Sequence, residues 1–146
     1  MCDRTQALEL VNTSRARHGV PDLKWDEGLS QNATGWAQHL VDGVGHLEHS
    51  TGEQRPGQGE NLYWKWTSNG EKGTFADAMQ GWLNEEQKYH GEAIGEGNFA
   101  DWGHYTQCLW KDTTHVGMGV ATDGKGATFI VGRFSPPGNM GGQRPY

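Results

Sequence analysis

Apolar residues recur at helical spacing in three stretches of the chain, which predict helices over 5–18, 26–42 and 74–89. Gly19 favours the end of the first helix, because glycine readily adopts the left-handed conformation that follows many helix C-termini. Asp26 is the predicted N-cap of the second helix, whose apolar stripe comprises Leu29, Ala33, Trp36, Ala37 and Leu40.

Alternation of side-chain polarity predicts a strand over 61–66 and an antiparallel hairpin formed by 115–121 and 127–134. Trp64 and Trp66 fall on one face of the first strand, and we interpret both as core residues. Helices toward the front of the chain and a hairpin toward the back predict an α+β fold, with helices packed on a small sheet.

The chain of 146 residues is expected to form one domain, 1–146, which ends in a Pro/Gly-rich tail over 135–146. Only 34% of the residues are apolar, but seven Trp, four Tyr and four Phe supply large side chains for a core. The net charge is −6 and Lys and Arg form no run, which argues against nucleic acid and against an anionic membrane surface as partners. No stretch approaches the ~20 apolar residues of a membrane helix, so no transmembrane segment is expected.

One segment, over 103–113, sets a histidine among aromatic and amide side chains and is expected to form a short helix. His104 in this setting can bind a metal, transfer a proton or anchor a hydrogen-bond network, or it can be a structural residue within aromatic packing. Three further polar residues are candidates for the same site. His49 lies in a predicted loop, Glu60 immediately precedes the first predicted strand and Glu85 lies on the third predicted helix. Glu86 is a rival to Glu85, because helical periodicity places each of them on an apolar stripe.

Several short motifs follow one another in the order found in a known family. They are Asn12-x-x-Arg15-x-x-His18-Gly19-Val20-Pro21, Leu23-x-Trp25, Ala33-x-x-Trp36-Ala37, His49-Ser50, Gly59-Glu60-Asn61-Leu62, Trp82-x-x-Glu85-x-x-x-Tyr89, Gly103-His104-Tyr105-Thr106-Gln107-x-x-Trp110 and Pro136-Pro137-Gly138-Asn139. On these residues the chain resembles the CAP superfamily, which comprises cysteine-rich secretory proteins, wasp-venom antigens and plant pathogenesis-related proteins of class one.

The resemblance implies an α-β-α sandwich, with helices on both sides of a small, mainly antiparallel sheet and a central cleft that holds two His and two Glu. Matched residue by residue, these are His49, Glu60, Glu85 and His104, and the motif around Trp82 favours Glu85 over its neighbour. Imidazoles and carboxylates are suitable ligands for a divalent metal, with Zn²⁺ expected before Mg²⁺. The same groups can also form a metal-free hydrogen-bonded cluster, or a network that only ties loops to a helix.

The chain departs from the family at several cysteines. Met118 and Gly132 stand at two positions where the family usually has Cys, and Cys2 and Cys108 are the only cysteines in the sequence, so the disulfides typical of secreted relatives are not expected. A secreted, extracellular protein is the expectation from the resemblance. The missing disulfides and the lack of an apolar signal segment favour the alternative, a cytoplasmic protein or one peripheral on Golgi membranes.

The resemblance implies a binder of sterols, fatty acids or other lipids that acts in host–microbe interaction, defence or virulence, more as a binding protein than as an enzyme. Phe99 and Trp102 are the expected lipid-binding residues, since aromatic side chains commonly line such sites. A metal-dependent hydrolase at the two His and two Glu is an alternative, but the sequence supplies no nucleophile or oxyanion site for it. A protease-like arrangement of Ser50 with His49 and Glu60 is disfavoured, because no nucleophile turn precedes Ser50. Host or membrane-associated proteins are expected as further partners, and the chain as a monomer or weak dimer. The tail over 135–146 resembles a segment that plant members release as a defence-signalling peptide, or else it simply ends the fold.

Overall fold

The computed structural model describes residues 2–146, in which four α-helices surround a four-stranded sheet. The helices are α1 (Asp3–Arg17), α2 (Glu27–His39), α3 (Phe75–Leu83) and α4 (Phe99–Leu109). The strands are β1 (Lys24–Trp25), β2 (Gly59–Trp66), β3 (His115–Thr122) and β4 (Ala127–Ser135). A turn of π-helix over Leu40–Val44 continues α2, and 3₁₀-helix over Asn84–Lys88 continues α3.

The predicted N-cap of α2 and the predicted hairpin are confirmed. The Asp26 side chain accepts a hydrogen bond from the backbone N–H of Leu29, as expected of an N-cap at the start of α2. Strands β3 and β4 pair in antiparallel register, and β2 pairs with the far side of β4. The sheet order is therefore β1-β3-β4-β2, with the short strand β1, which the polarity pattern did not predict, parallel to β3.

Helix α2 packs on one face of the sheet, over β3 and β4. It approaches β3 closely, because a Cβ atom at Gly117 or Gly119 would overlap the α2 backbone. Strand β2 extends beyond the cover of this helix. Trp64 and Trp66 on that strand are 48% and 53% exposed, so the interpretation of the two tryptophans as core residues is wrong.

Helices α1, α3 and α4 pack on the opposite face of the sheet, which completes the expected α-β-α sandwich. The guanidinium of Arg15 in α1 is fully buried and donates to the backbone carbonyls of Cys108, Trp110 and Thr113. This one side chain therefore fixes α1 to the segment that leaves α4. Both cysteines are free, with Cys2 exposed and Cys108 buried.

The C-terminal tail lies against the body of the protein. The backbone N–H of Ile94 donates to the carbonyl of Gln143, and that of Lys111 donates to the carbonyl of Pro145. Among the described residues, no helix combines the length and apolar character needed to cross a membrane.

Candidate functional site

The candidate site is a cavity of about 310 Å³ between the start of β2 and the start of α4. It receives residues from the loop before β2, from both of these elements and from the C-terminal tail. The lining residues are His49, Glu60, Asn61, Phe99, Ala100, Gly103, His104 and Asn139. Three of the four residues that the resemblance placed in the cleft thus share one cavity, and the fourth, Glu85, contacts His104.

His49 is oriented by Glu60. Nδ1 of His49 lies 2.7 Å from Oε1 of Glu60, and this oxygen also accepts the backbone N–H of Ser50 at 2.9 Å. The other carboxylate oxygen, Oε2, accepts the Ser50 hydroxyl at 2.7 Å and Nε of Arg133 at 2.9 Å. Both oxygens of Glu60 are therefore occupied by protein donors, while 55% of the His49 side chain is exposed.

The Glu60–Arg133 ion pair is buried, with side-chain exposures of 0% and 2%. Burial disfavours the ionised carboxyl, but the hydrogen bonds from His49 and Ser50 and the charge of Arg133 outweigh it, so the pKa of Glu60 lies below its ordinary value. The pair is also a structural link, since Glu60 in β2 and Arg133 in β4 are directly opposite each other in the sheet.

Ser50 is a structural donor in this cluster. Its hydroxyl donates to Glu60, its side chain is near Nη2 of Arg133 at 3.3 Å, and the residue is only 3% exposed. A serine nucleophile would instead need its hydroxyl directed at the histidine and accessible to substrate. The geometry of Ser50 gives no such arrangement.

His104 is oriented by Glu85, which lies on the 3₁₀ turn after α3. Nδ1 of His104 lies 2.8 Å from Oε2 of Glu85. The other oxygen, Oε1, accepts the backbone N–H groups of His104 and Tyr105 at 3.0 and 3.1 Å. The Glu85 carboxylate thus contacts both the imidazole ring of His104 and the backbone of α4.

The rival Glu86 belongs to a different cluster. Its carboxylate lies 3.3 Å from Nε2 of His18 and 3.5 Å from Nη2 of Arg17, at the end of α1. Glu85 is therefore the carboxylate that serves the cavity, as the family motif indicated and helical periodicity could not.

The two imidazoles share one chemical feature. Because Nδ1 of each ring faces a carboxylate, each neutral ring carries its proton on Nδ1, which leaves the Nε2 lone pair of His49 and of His104 available to the cavity. This carboxylate–histidine arrangement is typical of histidines that bind a metal. It also makes each Nε2 a suitable proton acceptor.

The residues fit a divalent metal only in part. Within residues 2–146, no three or more His, Cys, Asp and Glu side chains converge as a ligand group. Both oxygens of Glu60 accept hydrogen bonds from protein donors, and Glu85 accepts three such bonds. The two carboxylates therefore orient the imidazole rings through Nδ1, on the side opposite Nε2. The donor set toward the cavity is thus two imidazoles, with positions left for water or another ligand.

The two expected lipid-binding residues lie in different environments. Phe99 is 45% exposed and lines the cavity, with its ring against Gly103. Trp102 is 1% exposed and packs edge-on against Phe99 and Tyr89. Only Phe99 can therefore present its ring to a ligand, while Trp102 supports it from the core.

Three site residues were not predicted as part of the site, although Ser50 and Asn139 lie in two of the family motifs. Arg133 and Ser50 complete the Glu60 cluster, and Asn139 in the tail closes the cavity, where it bonds Oγ1 of Thr106 at 2.6 Å and the carbonyl of Gly103 at 3.0 Å. Asn139 has a positive φ of 55°, a conformation that asparagine tolerates better than most residues. The Pro-Pro-Gly-Asn motif was the one pointer to it.

Comparison with known proteins agrees with this architecture. The sequence profile of the CAP family, described as the cysteine-rich secretory protein family, matches residues 8–134. Pathogenesis-related protein 1C of Nicotiana tabacum is 34% identical over 139 residues, which cover 95% of this chain and 78% of the relative. The Golgi-associated plant pathogenesis-related protein 1 of Homo sapiens is 32% identical over 135 residues, which cover 92% of this chain and 83% of that relative.

Solved structures share the fold. The crystal structure of NaASP2 with Zn²⁺ superposes with a TM-score of 0.81 at 23% identity, covering 98% of this chain and 84% of that one. The structure of BmVAL-1 gives a TM-score of 0.77 at 24% identity, covering 99% of this chain and 81% of that one. At this identity the likeness concerns the fold alone.

Proposed function

Because this chain belongs to the CAP family and is pathogenesis-related-like, we propose that it is a non-enzymatic binding protein whose cleft holds a divalent metal between His49 and His104. The observation that carries the proposal is the pair of carboxylate-oriented imidazoles on one cavity. A bound Zn²⁺ would supply a Lewis-acidic anchor for a polar group of a ligand. The chain's own contribution is to hold both rings in a fixed orientation through the carboxylates at Nδ1.

Metal binding is tested by titrating the purified protein with Zn²⁺ in a calorimeter. We expect binding that His49→Ala and His104→Ala each reduce at least about tenfold, since each removes one of two ligands. His90→Ala is the matched control, because His90 is exposed and outside the cavity. Equal affinity in the wild type and both cavity variants would refute the proposal, and Mg²⁺ in place of Zn²⁺ tests the second metal.

We further propose that the same cleft receives a sterol or fatty acid, with Phe99 as its apolar contact. Phe99 supports this candidate, because it is a large exposed aromatic side chain that lines the same cavity as His104. A polar head at the histidines and an apolar body at Phe99 would suit an amphipathic ligand.

Lipid binding is tested by competition with labelled cholesterol and labelled palmitate. Phe99→Ala is expected to weaken binding several-fold, because it removes the apolar contact area of a side chain that is 45% exposed in the cavity. Val120→Ala, a change at an exposed apolar residue on β3, is the control. Unchanged lipid binding in Phe99→Ala would reject this ligand site and leave the metal proposal standing.

A secreted role in host–microbe interaction follows as the proposed setting. The family description and the likeness to plant pathogenesis-related proteins support it, whereas the Golgi-associated human relative supports the peripheral-membrane alternative. Fractionation of cells that express the complete gene product separates the two locations.

A further inference from the structure

Gly103 lies in the middle of helix α4, where glycine is an unfavourable residue. Glycine destabilises a helix interior relative to alanine, because it loses more backbone freedom on folding. Gly103 is buried, and its φ is not in the positive range that favours glycine over other residues. A requirement for space, and not for a special backbone conformation, therefore accounts for glycine at this position.

The missing side chain of Gly103 makes room for the ring of Phe99. Phe99 begins α4, and residues four apart on a helix lie on the same face. A Cβ atom at residue 103 would lie 2.6 Å from Cζ, 2.7 Å from Cε2 and 2.9 Å from Cε1 of Phe99. The outer edge of the ring thus occupies the space that a side chain at residue 103 would take. We call this contact the ring seat.

Trp102 supports the Phe99 ring at the ring seat. The two rings pack nearly edge-on, with centroids 5.5 Å apart and an interplanar angle of 74°. Trp102 is 1% exposed and therefore cannot move aside without disturbing the core, whereas Phe99 is 45% exposed. A displaced Phe99 ring would thus move away from α4, toward the cavity or the solvent.

The ring seat borders the candidate functional site. Gly103 and Phe99 both line the cavity of about 310 Å³, and His104 follows Gly103 directly in the chain. The backbone beneath the ring is held in place, since Nδ2 of Asn139 donates to the carbonyl of Gly103 at 3.0 Å. A methyl group added at residue 103 therefore has to move the ring and not the helix.

We propose that Gly103 is a positioning residue of the lipid site, which keeps the Phe99 ring on α4 as a wall of the cavity. With the ring in this place, the space beside His104 stays open to the apolar part of a ligand. The inference rests on the proposed lipid site and adds what controls access to it. A side chain at residue 103 should act on ligand affinity through Phe99, and only while the Phe99 ring is present.

Thermal unfolding of the wild type, Gly103→Ala, Phe99→Ala and the double variant tests the ring seat without any ligand. In the Phe99→Ala background, alanine at residue 103 is expected to raise Tm by about 2–4 °C, the gain that helix propensity supplies. With the ring present it should give no gain or lower Tm, because the ring must leave its seat. Gly35→Ala is the matched control and should raise Tm in both backgrounds, since Gly35 lies within α2 and a Cβ atom there meets nothing within 4 Å.

Binding of labelled palmitate and labelled cholesterol to the same four proteins tests the role of the ring seat in ligand access. Gly103→Ala is expected to weaken binding several-fold, as Phe99→Ala does, since both changes remove the ring from the cavity wall. The double variant should bind no more weakly than Phe99→Ala, because the two changes act through one ring. Gly35→Ala should bind like the wild type.

Several results would overturn the positioning role of Gly103. A gain in Tm from Gly103→Ala as large as that from Gly35→Ala, with Phe99 present, rules out the ring seat. Lipid binding by Gly103→Ala at wild-type strength rejects the positioning role and leaves the lipid site standing, as do losses that add in the double variant. A wild type that binds neither lipid rejects the lipid site and, with it, the role of Gly103 in ligand access.

Discussion

The two His–Glu pairs of the cavity are built in different ways, although each ends in an imidazole with the same free nitrogen. Glu60 is completely buried and is held by side chains, chiefly Arg133 and Ser50. Glu85 is 20% exposed and is held by two backbone N–H groups in the middle of α4. One pair depends on a buried charge network and the other on the position of a helix.

This difference predicts that changes near Glu60 affect the stability of the fold, whereas changes at Glu85 affect the orientation of His104. A buried carboxylate is tolerated only while its partners remain, so loss of a partner near Glu60 should destabilise the whole sheet that β2 and β4 form. A partly exposed carboxylate can recover hydrogen bonds from water. Changes at Glu85 should therefore alter the orientation of His104 more than the free energy of unfolding.

The largest effect is expected from Arg133→Met, which leaves Glu60 buried without its charge partner. The free energy of unfolding should fall by about 3–5 kcal/mol in urea denaturation followed by tryptophan fluorescence. Arg55→Met is the matched control, because Nε of Arg55 lies 3.9 Å from Glu60 and the side chain is 26% exposed. Its expected loss is under about 1 kcal/mol.

The double variant Arg133→Met with Glu60→Gln sharpens this test. Removal of the unpaired charge should restore part of the stability that Arg133→Met loses, and the coupling energy measures the pair directly. Equal losses in Arg133→Met and Arg55→Met would show that the Glu60 cluster is not a buried charge network.

The next effect compares the two carboxylates directly. Glu60→Gln should cost about 2–3 kcal/mol, because it weakens charge-assisted bonds to Arg133 and Ser50, whereas Glu85→Gln should cost about 1 kcal/mol. Urea denaturation measures both values. Nitrogen-15 NMR of the imidazoles should show a mixed tautomer for His104 in Glu85→Gln, with His49 unchanged. A larger stability loss in Glu85→Gln than in Glu60→Gln would contradict the comparison.

The polarity pattern predicted the fold class and most elements, because α2 and the β3–β4 hairpin combine clear periodicity with strong local signals. It failed at Trp64 and Trp66, since alternation identifies a strand face but not whether a helix covers it. The close fit of α2 over Gly117 and Gly119 decides that cover, and such tertiary contacts are not encoded in local spacing.

The site was predictable only through the family motifs. The change from α-helix to 3₁₀-helix after Leu83 turns Glu85 toward His104, and helical periodicity, which assumes one helix type, cannot choose between Glu85 and Glu86. Arg133 meets Glu60 through the pairing of β2 with β4, which joins residues far apart in sequence. Register of this kind is not visible in a single sequence.

Apolar packing occupies two positions at which the family usually has cysteines. Met118 and Gly132, where the family usually has Cys, are directly opposite each other in β3 and β4. A Cβ atom at Gly132 would lie 2.9 Å from the ring of Trp82, so the indole occupies the space above this glycine. Apolar packing by Met118 and Trp82, both nearly fully buried, thus fills the space at these two positions.

The smallest effect lies on the acid side of the stability profile. Because the pKa of Glu60 in the folded protein is below its ordinary value of 4.5, its ionised form contributes stability above that pH and loses it as the pH falls through the folded pKa. Unfolding in urea at a series of acidic pH values should therefore show a steeper loss for wild type than for Glu60→Gln, by at most about 1.4 kcal/mol per pH unit. Identical slopes would mean that the Glu60 carboxylate gains no net stabilisation from its partners, and the contrast between the buried and the helix-held pair would then rest on geometry alone.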